Sequence, residues 1–383
     1  MTKAQVIVRA IEGRLTWIQA ATILGVSDRH MRRLKTLYER NGYDGIRDGR
    51  AGTPRRKRIP IKTIEEICRL KREVYPDFSA QHFHEQLREK HQIEISYTWT
   101  RLTLQEAGLI EKAPARGKYR RRRERRPMTG MLLHMDASTH RWIRGLPMWD
   151  LNVVLDDADG RILYAQFVEQ EGLASTFAAL RHVLRHHGRF CELYTDRGSH
   201  FCTTPIAGGA PADEQGGNVS RALQAVGIRQ IYARSPEARG RSERCFGTIQ
   251  GRLPQELRLA KIKDYVAANR YLQDVFVPDF NRRFTVKPTD SESAFIALVG
   301  VDLDLLLSIR HERVVRNDST VTFNRLILQL PQLHGRPHYA RCPVLVHELG
   351  DETLGISYQG RLLARFTLQG DLIKPLARRG KAA

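Results

Sequence analysis

"CELYTDRGSHF", residues Cys191 to Phe201, runs as an apolar, strand-like segment and stops on an aspartate followed by Arg-Gly. A strand ending at Asp196 organises what lies on either side of it. Upstream, "ASTFAALRHVLRHHG" (174–188) carries the apolar spacing of an amphipathic helix. Before that helix, "LNVVLDDADGRILYAQFVE" (151–169) reads as two strands around an Asp-Asp-Ala-Asp-Gly turn, and "GMLLHMDAS" (130–138) as a strand. Downstream come a Gly-rich insertion (207–218), a helix around "VSRALQAVG", a short strand "IRQIYA", a loop "RSPEARG" and a helix beginning near Arg241. Three consecutive strands, then helix, strand, helix, strand and helix, predict a mixed α/β sheet.

The rest of the chain is organised around that core. At 383 residues it exceeds one ordinary core and should fold as two to three domains. With 41% hydrophobic and 27% charged residues it has the composition of a globular protein. Its charge departs from the average: 63 Lys+Arg against 42 Asp+Glu give a formal net charge of +21, which calls for a polyanionic partner, nucleic acid before an acidic membrane surface. No apolar run is long enough to span a bilayer, and the N-terminus lacks the apolar core of a signal peptide, so a cytoplasmic protein is expected. The five cysteines are odd in number and scattered without a C-x-x-C pair, which fits reduced thiols. His182 and His186 have a metal-compatible i, i+4 spacing but no further ligand nearby in sequence, and read as a solvated helix face.

Residues 15–40 show helical apolar spacing, a break at Gly25-Val26-Ser27, and a second helix that Ser27 can cap. Arg29, His30, Arg32, Arg33 and Lys35 lie on that second helix, so the unit reads as a helix-turn-helix with residues 27–39 as recognition helix. A plain helical hairpin with a solvated basic face is the alternative. "GIRDGRAGTPRRKRIP" (45–60), with Arg55, Arg56, Lys57 and Arg58, reads as a basic linker that lies along phosphates. Helices over 61–75 and 79–91, and another capped near Ser96 and stopped at Gly108, form a second unit of similar kind. "KAPARGKYRRRRERRP" (112–127), with Arg120, Arg121, Arg122 and Arg123, is a second basic tether. Past residue 284 the runs "STVTFNRLILQLP", "PVLVHELG" and "TLGISYQGRLLARF" suggest a small C-terminal β-barrel.

Three acids then stand out. Asp136 lies in the first strand, Asp196 ends the fourth, and Glu243 starts the helix after "SPEARG". Each has an ordinary explanation alone: Asp196 as a turn former, Asp136 as a hydrogen-bonded buried residue, Glu243 as a first-turn acid favoured by the helix dipole. Converging, they repel one another unless divalent cations neutralise them, and oxygen-only ligands select hard ions such as Mg²⁺. Asp156, Asp157 and Asp159 read as hairpin-turn residues, and Glu237 as a loop acid.

In "LHMDAS", "LYTDRGSHF" and "RSPEARGRSERCFGTIQGRL", in that order, the sequence resembles the bacterial insertion-sequence DDE transposases, with a retroviral-integrase-type core and N-terminal helix-turn-helix units. The last motif is the most specific, setting the third acid in a Ser-Pro-x-x-x-Gly-x-x-Glu-Arg context as Glu243-Arg244. "YLQDVFVPDFNRRF" and "HERVVRNDSTVTF" also look like the segments that follow the core in that family. Two features differ from it. Asp196 and Glu243 are 47 positions apart, an excess over the usual spacing that the insertion "IAGGAPADEQGGN" accounts for, and Gln250 stands where many relatives carry Lys or Arg.

The resemblance implies helix-turn-helix domains over 1–50 and 61–112, basic linkers over 51–60 and 113–127, an RNase H-like catalytic core over 128–284 and the barrel over 310–383. It implies a homo-oligomeric transposase, a dimer or larger, that binds double-stranded DNA at transposon ends and in the target, in the bacterial nucleoid. Asp136, Asp196 and Glu243 would hold two Mg²⁺ ions, with Mn²⁺ able to substitute, and Arg197, Arg241 and Arg244 would contact phosphates nearby. Two rivals stay open: a non-catalytic helix-turn-helix regulator that keeps the RNase H-like core as scaffold, and a stand-alone nuclease of the same fold.

Overall fold

The computed structural model describes residues 2–46, 59–112, 124–203, 212–233, 240–332 and 338–373. The chain divides after Arg69 into two compact units. In the first, side-chain caps set where the helices begin. Thr2 and Thr16 form capping boxes with Gln5 and Gln19 at the starts of α1 (Lys3–Ile11) and α2 (Trp17–Leu24). Gly25, in the left-handed conformation, ends α2, and the Ser27 hydroxyl accepts the His30 amide at 3.4 Å to open α3 (Asp28–Ile46). That helix is broken at Gly42, whose φ of 57° no other residue adopts as readily. Val6, Ile7, Ala20, Ala21, Met31 and Leu34 make a core of their own.

α4 (Ile61–Glu73) crosses the division. In the second unit, Ser79 and Ser96 cap α5 (Ala80–Glu89) and α6 (Tyr97–Glu106). The α/β region follows in the predicted order: β1 (Leu132–His140), β2 (Trp149–Asp156), β3 (Ile162–Val168), α7 (Leu173–His186), β4 (Glu192–Thr195), β5 (Cys202–Thr203), β6 (Ala212–Gly216), α8 (Asn218–Ala225), β7 (Arg229–Tyr232) and α9 (Gly240–Gln250). After these come α10 (Leu253–Leu259), α11 (Tyr265–Tyr271), a π-helical turn (Leu272–Phe276) and α12 (Val277–Phe284).

The main sheet has the order β3-β2-β1-β4-β7. β1, β2 and β3 pair antiparallel as a meander, whereas β4 and β7 join parallel to β1 and to each other, because α7 and α8 carry the chain back across the sheet. Alternation along the strands sends Leu133, Met135, Val154 and Leu193 towards α7 and α8. Leu151, Val153, Leu155 and Phe167 point to the other face, against Phe246, Ile249, Leu257, Phe276 and Phe280 of α9 to α12. The mixed α/β sheet expected from the sequence is present. The Gly-rich insertion expected as a loop contributes β6, which pairs antiparallel with β5.

β3 is an edge strand, and a row of side-chain amides covers its backbone. Asn269 bonds both the N–H and the C=O of Phe167 at 2.8 and 3.1 Å, Asn281 does the same to Ile162 at 2.8 and 2.9 Å, and Gln273 donates to the Ala165 carbonyl. The π-helical turn contains Gln273 and lies just before Pro278, which cannot donate to a tighter helical ladder.

The C-terminal region is an open sheet and not the expected barrel. After α13 (Leu303–Leu306) come β8 (Ile309–Val314), the hairpin of β9 (Thr320–Phe323) and β10 (Leu326–Gln329), β11 (Pro343–Glu348), β12 (Leu354–Tyr358), β13 (Arg361–Phe366) and β14 (Leu372–Ile373). Five strands pair in the order β14-β13-β12-β11-β8, and no pairing among the described residues closes β14 onto β8. The β9–β10 hairpin turns through Asn324 and Arg325, both at positive φ, and forms a separate ladder that packs over the sheet, with Val321, Phe323 and Leu328 meeting Val346, Ile356 and Phe366. Among the described residues no helix is long and apolar enough to cross a membrane.

Candidate active site

Leu132, Leu133 and His134 of β1 pair with Glu192, Leu193 and Tyr194 of β4, and two of the three acids each follow two residues past the last rung, Asp136 within β1 and Asp196 one residue beyond the end of β4. Neighbouring strands lie about 4.8 Å apart, and residues at matched positions in a parallel pair point to the same face. That face is the one covered by α9, because Asp136 and Ser138 oppose Val153 and Leu151 of β2, which lie in the α9-side core.

α9 supplies the third acid. Its Gln250 Nε2 donates to Ser138 Oγ at 2.8 Å, fixing the helix against β1 two residues along from Asp136. Glu243 lies seven residues before Gln250, two helical turns away and on the same stripe of the helix. Cys245, on the same helix, is close enough to Asp136 that burial and that carboxylate's charge push its thiol up to about 12. Asp136 is buried, Asp196 half-buried and Glu243 exposed.

The backbone also holds the acids. Asp136 Oδ1 accepts the Ala137 amide at 3.0 Å, and Asp196 Oδ1 accepts the Gly198 amide at 2.8 Å. Asp196 therefore also shapes the turn that follows it. A Cβ at residue 198 would come 2.8 Å from the His200 ring and 3.1 Å from Asp196 Oδ1, which explains the glycine there. The donor set, carboxylate oxygen throughout, fits a hard divalent cation in kind. Among the described residues no three His, Cys, Asp or Glu side chains close around one point as a metal ion requires, and Glu243 is the exposed member. His182 and His186 have their rings 4.2 Å apart and likewise belong to no such group.

The basic residues divide into distinct groups. Arg29, His30, Arg32 and Arg33 are exposed on α3, while Lys35 is partly covered, 3.7 Å from Glu39 and 5.1 Å from the Trp17 ring centroid. Arg244 is exposed on α9, and Arg197 is half-buried next to Asp196. Arg241, expected at a phosphate, is engaged inside the protein, its Nη1 at 2.7 Å from Asp157 Oδ1 and 2.8 Å from the Asp157 carbonyl. Arg55, Arg56, Lys57, Arg58, Arg120, Arg121, Arg122, Arg123 and Glu237 lie outside the described residues.

Sequence reasoning missed the role of Asp157. Asp156, Asp157 and Asp159 are almost wholly buried, so they are more than turn formers. Asp157 receives His134 Nε2 at 2.7 Å, the Arg126 amide at 2.8 Å and Arg241, thereby joining the end of the second tether, β1 and the first turn of α9. Burial opposes its charge, yet the bonds from His134 and Arg126 and the Arg241 charge hold its carboxyl at about 2. Among the described residues Asp156 has only backbone donors, Gly130 and Ala158 at 2.8 Å each, and burial pushes it up to about 6. The one signal in the sequence was a run of three acids in four residues, denser than a hairpin turn needs.

No family model matches the sequence. Over 371 residues the chain is 31% identical to the putative transposase y4bF of Sinorhizobium fredii, spanning 95% of this chain and 79% of that protein. It is 28% identical over 368 residues to the transposase for insertion sequence IS1202 of Streptococcus pneumoniae, spanning 86% of this chain and 78% of that protein. Among solved structures it is similar to the HTLV-2 integrase catalytic core domain in complex with magnesium, at 15% identity over 39% of this chain and 89% of that one, with a TM-score of 0.29. It is also similar to the simian T-cell lymphotropic virus intasome in complex with a PP2A regulatory subunit, at 13% identity over 76% of this chain and 99% of that one, with a TM-score of 0.35.

Proposed function

The chain belongs to the transposase family of these bacterial relatives, and on that footing we propose that it binds the terminal inverted repeats of an insertion sequence, cleaves at the element's ends and joins the freed 3′-hydroxyl to target DNA. The observation that supports this reading is the parallel β1–β4 pairing, two residues past whose last rung come Asp136 and Asp196, together with the packing of α9 on the face of β1 to which Asp136 belongs. Asp136, Asp196 and Glu243 would hold two Mg²⁺ ions, replaceable by Mn²⁺, which when bound supply an activated oxygen nucleophile and a stabilised leaving 3′-oxygen.

The chain's own residues do the rest. The ladder between β1 and β4 fixes the spacing of Asp136 and Asp196, while the Gln250–Ser138 bond and the Arg241–Asp157 pair seat the helix bearing Glu243. Arg197 and Arg244 flank the carboxylates and meet phosphates there. On the reading side, the exposed Arg29, His30, Arg32 and Arg33 of α3, with Lys35 at the rim, enter the major groove as the recognition helix of a helix-turn-helix. The tether cations Arg55 to Arg58 and Arg120 to Arg123 lie along the backbone and add affinity without sequence choice. Two element ends must be held together for joining, so the active form is a homo-oligomer, a dimer or larger, acting in the nucleoid.

The test is a strand-transfer assay with labelled terminal-repeat duplexes and Mg²⁺. Wild type joins them to target DNA, whereas Asp136→Asn, Asp196→Asn and Glu243→Gln each bind the ends and join nothing. A wild-type protein that binds the ends and never joins them would instead be the non-catalytic regulator, and one that cuts without joining would be a nuclease.

A further inference from the structure

Behind α9, on the side of the helix turned away from Glu243, lies a cavity of about 170 Å³. Its walls include Arg125 from the second tether, Arg241, Arg244 and Thr248 of α9, and the rings of Phe280 and Phe284 from α12. Arg241, Arg244 and Thr248 are spaced i, i+3 and i+7, so they form one stripe of the helix, a different one from Glu243 and Gln250. None of the lining residues is acidic. The first turn of α9 adds the positive end of the helix dipole.

Two guanidiniums make this cavity more than a gap in the packing. Arg125 Nη1 bonds the carbonyls of Asp157 and Ala158 at 2.9 and 3.4 Å, which anchors the side chain. Its Nε is buried and has no hydrogen-bond partner, a donor whose desolvation costs energy until an acceptor arrives. Gly160 lies against it at a φ of 78°, the conformation that favours glycine there. Arg244 is exposed and makes no ion pair among the described residues. Cys245 also lines the cavity.

We propose that this cavity is a binding site for one phosphodiester group of the DNA strand that enters the carboxylate site. Arg244 and Arg125 clasp the phosphate oxygens, and the adjoining nucleoside rests against Phe280 and Phe284. Arg241 stays paired with Asp157 and contributes charge. The site couples the end of the tether to the reacting strand, because the phosphate is gripped from both sides: by Arg125, two residues past the Arg120–Arg123 run, and by Arg244, next to Glu243. The inference rests on the transposase reading.

The experiment uses the full chain and a duplex of the element's terminal repeat in which single phosphates are replaced, one at a time, by neutral methylphosphonates. One position near the cleaved end should weaken binding to wild type about tenfold, the worth of a charge-assisted hydrogen bond. The same replacement should weaken binding to Arg244→Gln and to Arg125→Gln no further, since each variant has already lost that contact. If wild type joins the ends yet no position couples to either arginine, the cavity assignment is overturned and the transposase reading stands. If millimolar inorganic phosphate shields Arg244 from an arginine-modifying reagent as fully as the duplex does, the site is one for free phosphate, and its assignment to DNA falls. A wild-type chain that binds no terminal repeat at all overturns both readings together.

Discussion

Asp157 shows how much one buried side chain can organise. It collects an imidazole, a backbone amide and a guanidinium from three parts of the sequence, and the guanidinium is that of Arg241, two residues from Glu243. Asp157→Asn is expected to lower joining about tenfold or more while end binding holds, because the change loosens the first turn of α9 and leaves α3 untouched; loss of binding in step with joining would contradict it. The neighbouring aspartates respond to pH in opposite senses. Burial raises Asp156 from 3.8 to about 6, so as pH falls from about 6 towards 4 the folded chain takes up a proton that the unfolded chain does not, and stability rises over that window. Asp157, depressed to about 2, contributes stability above its ordinary value of 3.8, and that contribution is lost as pH falls through about 2. Denaturant unfolding from pH 7 to 4 should therefore show the rise in wild type and not in Asp156→Asn. The motif context is what singles out Asp136, Asp196 and Glu243 as the proposed site. Asp157 was hidden because Asp-Asp-Ala-Asp-Gly has the composition of a turn whether its carboxylates face water or the interior.

At the scale of elements, local signals predicted local structure well. Caps at Ser27 and Ser96 marked helices that form, and apolar, strand-like runs marked β1 to β4. What failed were features set by distant partners. The short strands past residue 309 were recognisable, but closure into a barrel depends on whether the two outer strands meet, which no single strand encodes. The docking of α5 was equally invisible. Its Glu85 takes a bidentate grip from Arg252 at 2.6 and 3.0 Å and a third contact from Arg283 at 3.3 Å, all well covered from solvent. Burial opposes the Glu85 charge, yet the Arg252 hydrogen bond, helped by Gln81 and Arg283, holds the carboxyl below its ordinary range. Glu85→Ala strands the covered Arg252 guanidinium, while Arg283 keeps Asp279 and Glu89, and should cost about 3–5 kcal/mol in denaturant unfolding; a change near zero would mean the docking does not depend on charge. The insertion offers a further check. Deleting residues 208–217 removes β6, and the expected outcome is a folded chain that still binds ends, because the β5–β6 ladder is separate from the five-stranded sheet; aggregation on that deletion would show the hairpin to be structural.

Over the whole molecule, the net charge of +21 and the two basic tethers imply binding that weakens steeply with salt, by a log-log slope of about −0.9 per phosphate neutralised. Neutralising Arg120 to Arg123 should flatten that slope on every sequence alike, whereas substituting Arg29, Arg32 and Arg33 should chiefly erode preference for the element's end over a scrambled duplex. If the tether variant loses preference and the α3 variant keeps it, α6 becomes the better candidate for the reader. The seating of α9 has a consequence of its own. Asp136 is carried by a paired strand, whereas Glu243 rides on a helix held by the Gln250–Ser138 bond at one end and the Arg241–Asp157 pair near the other. Of these two acids, Glu243 is therefore the one whose position a single side-chain substitution at either contact can disturb without touching the main-chain pairing of the sheet.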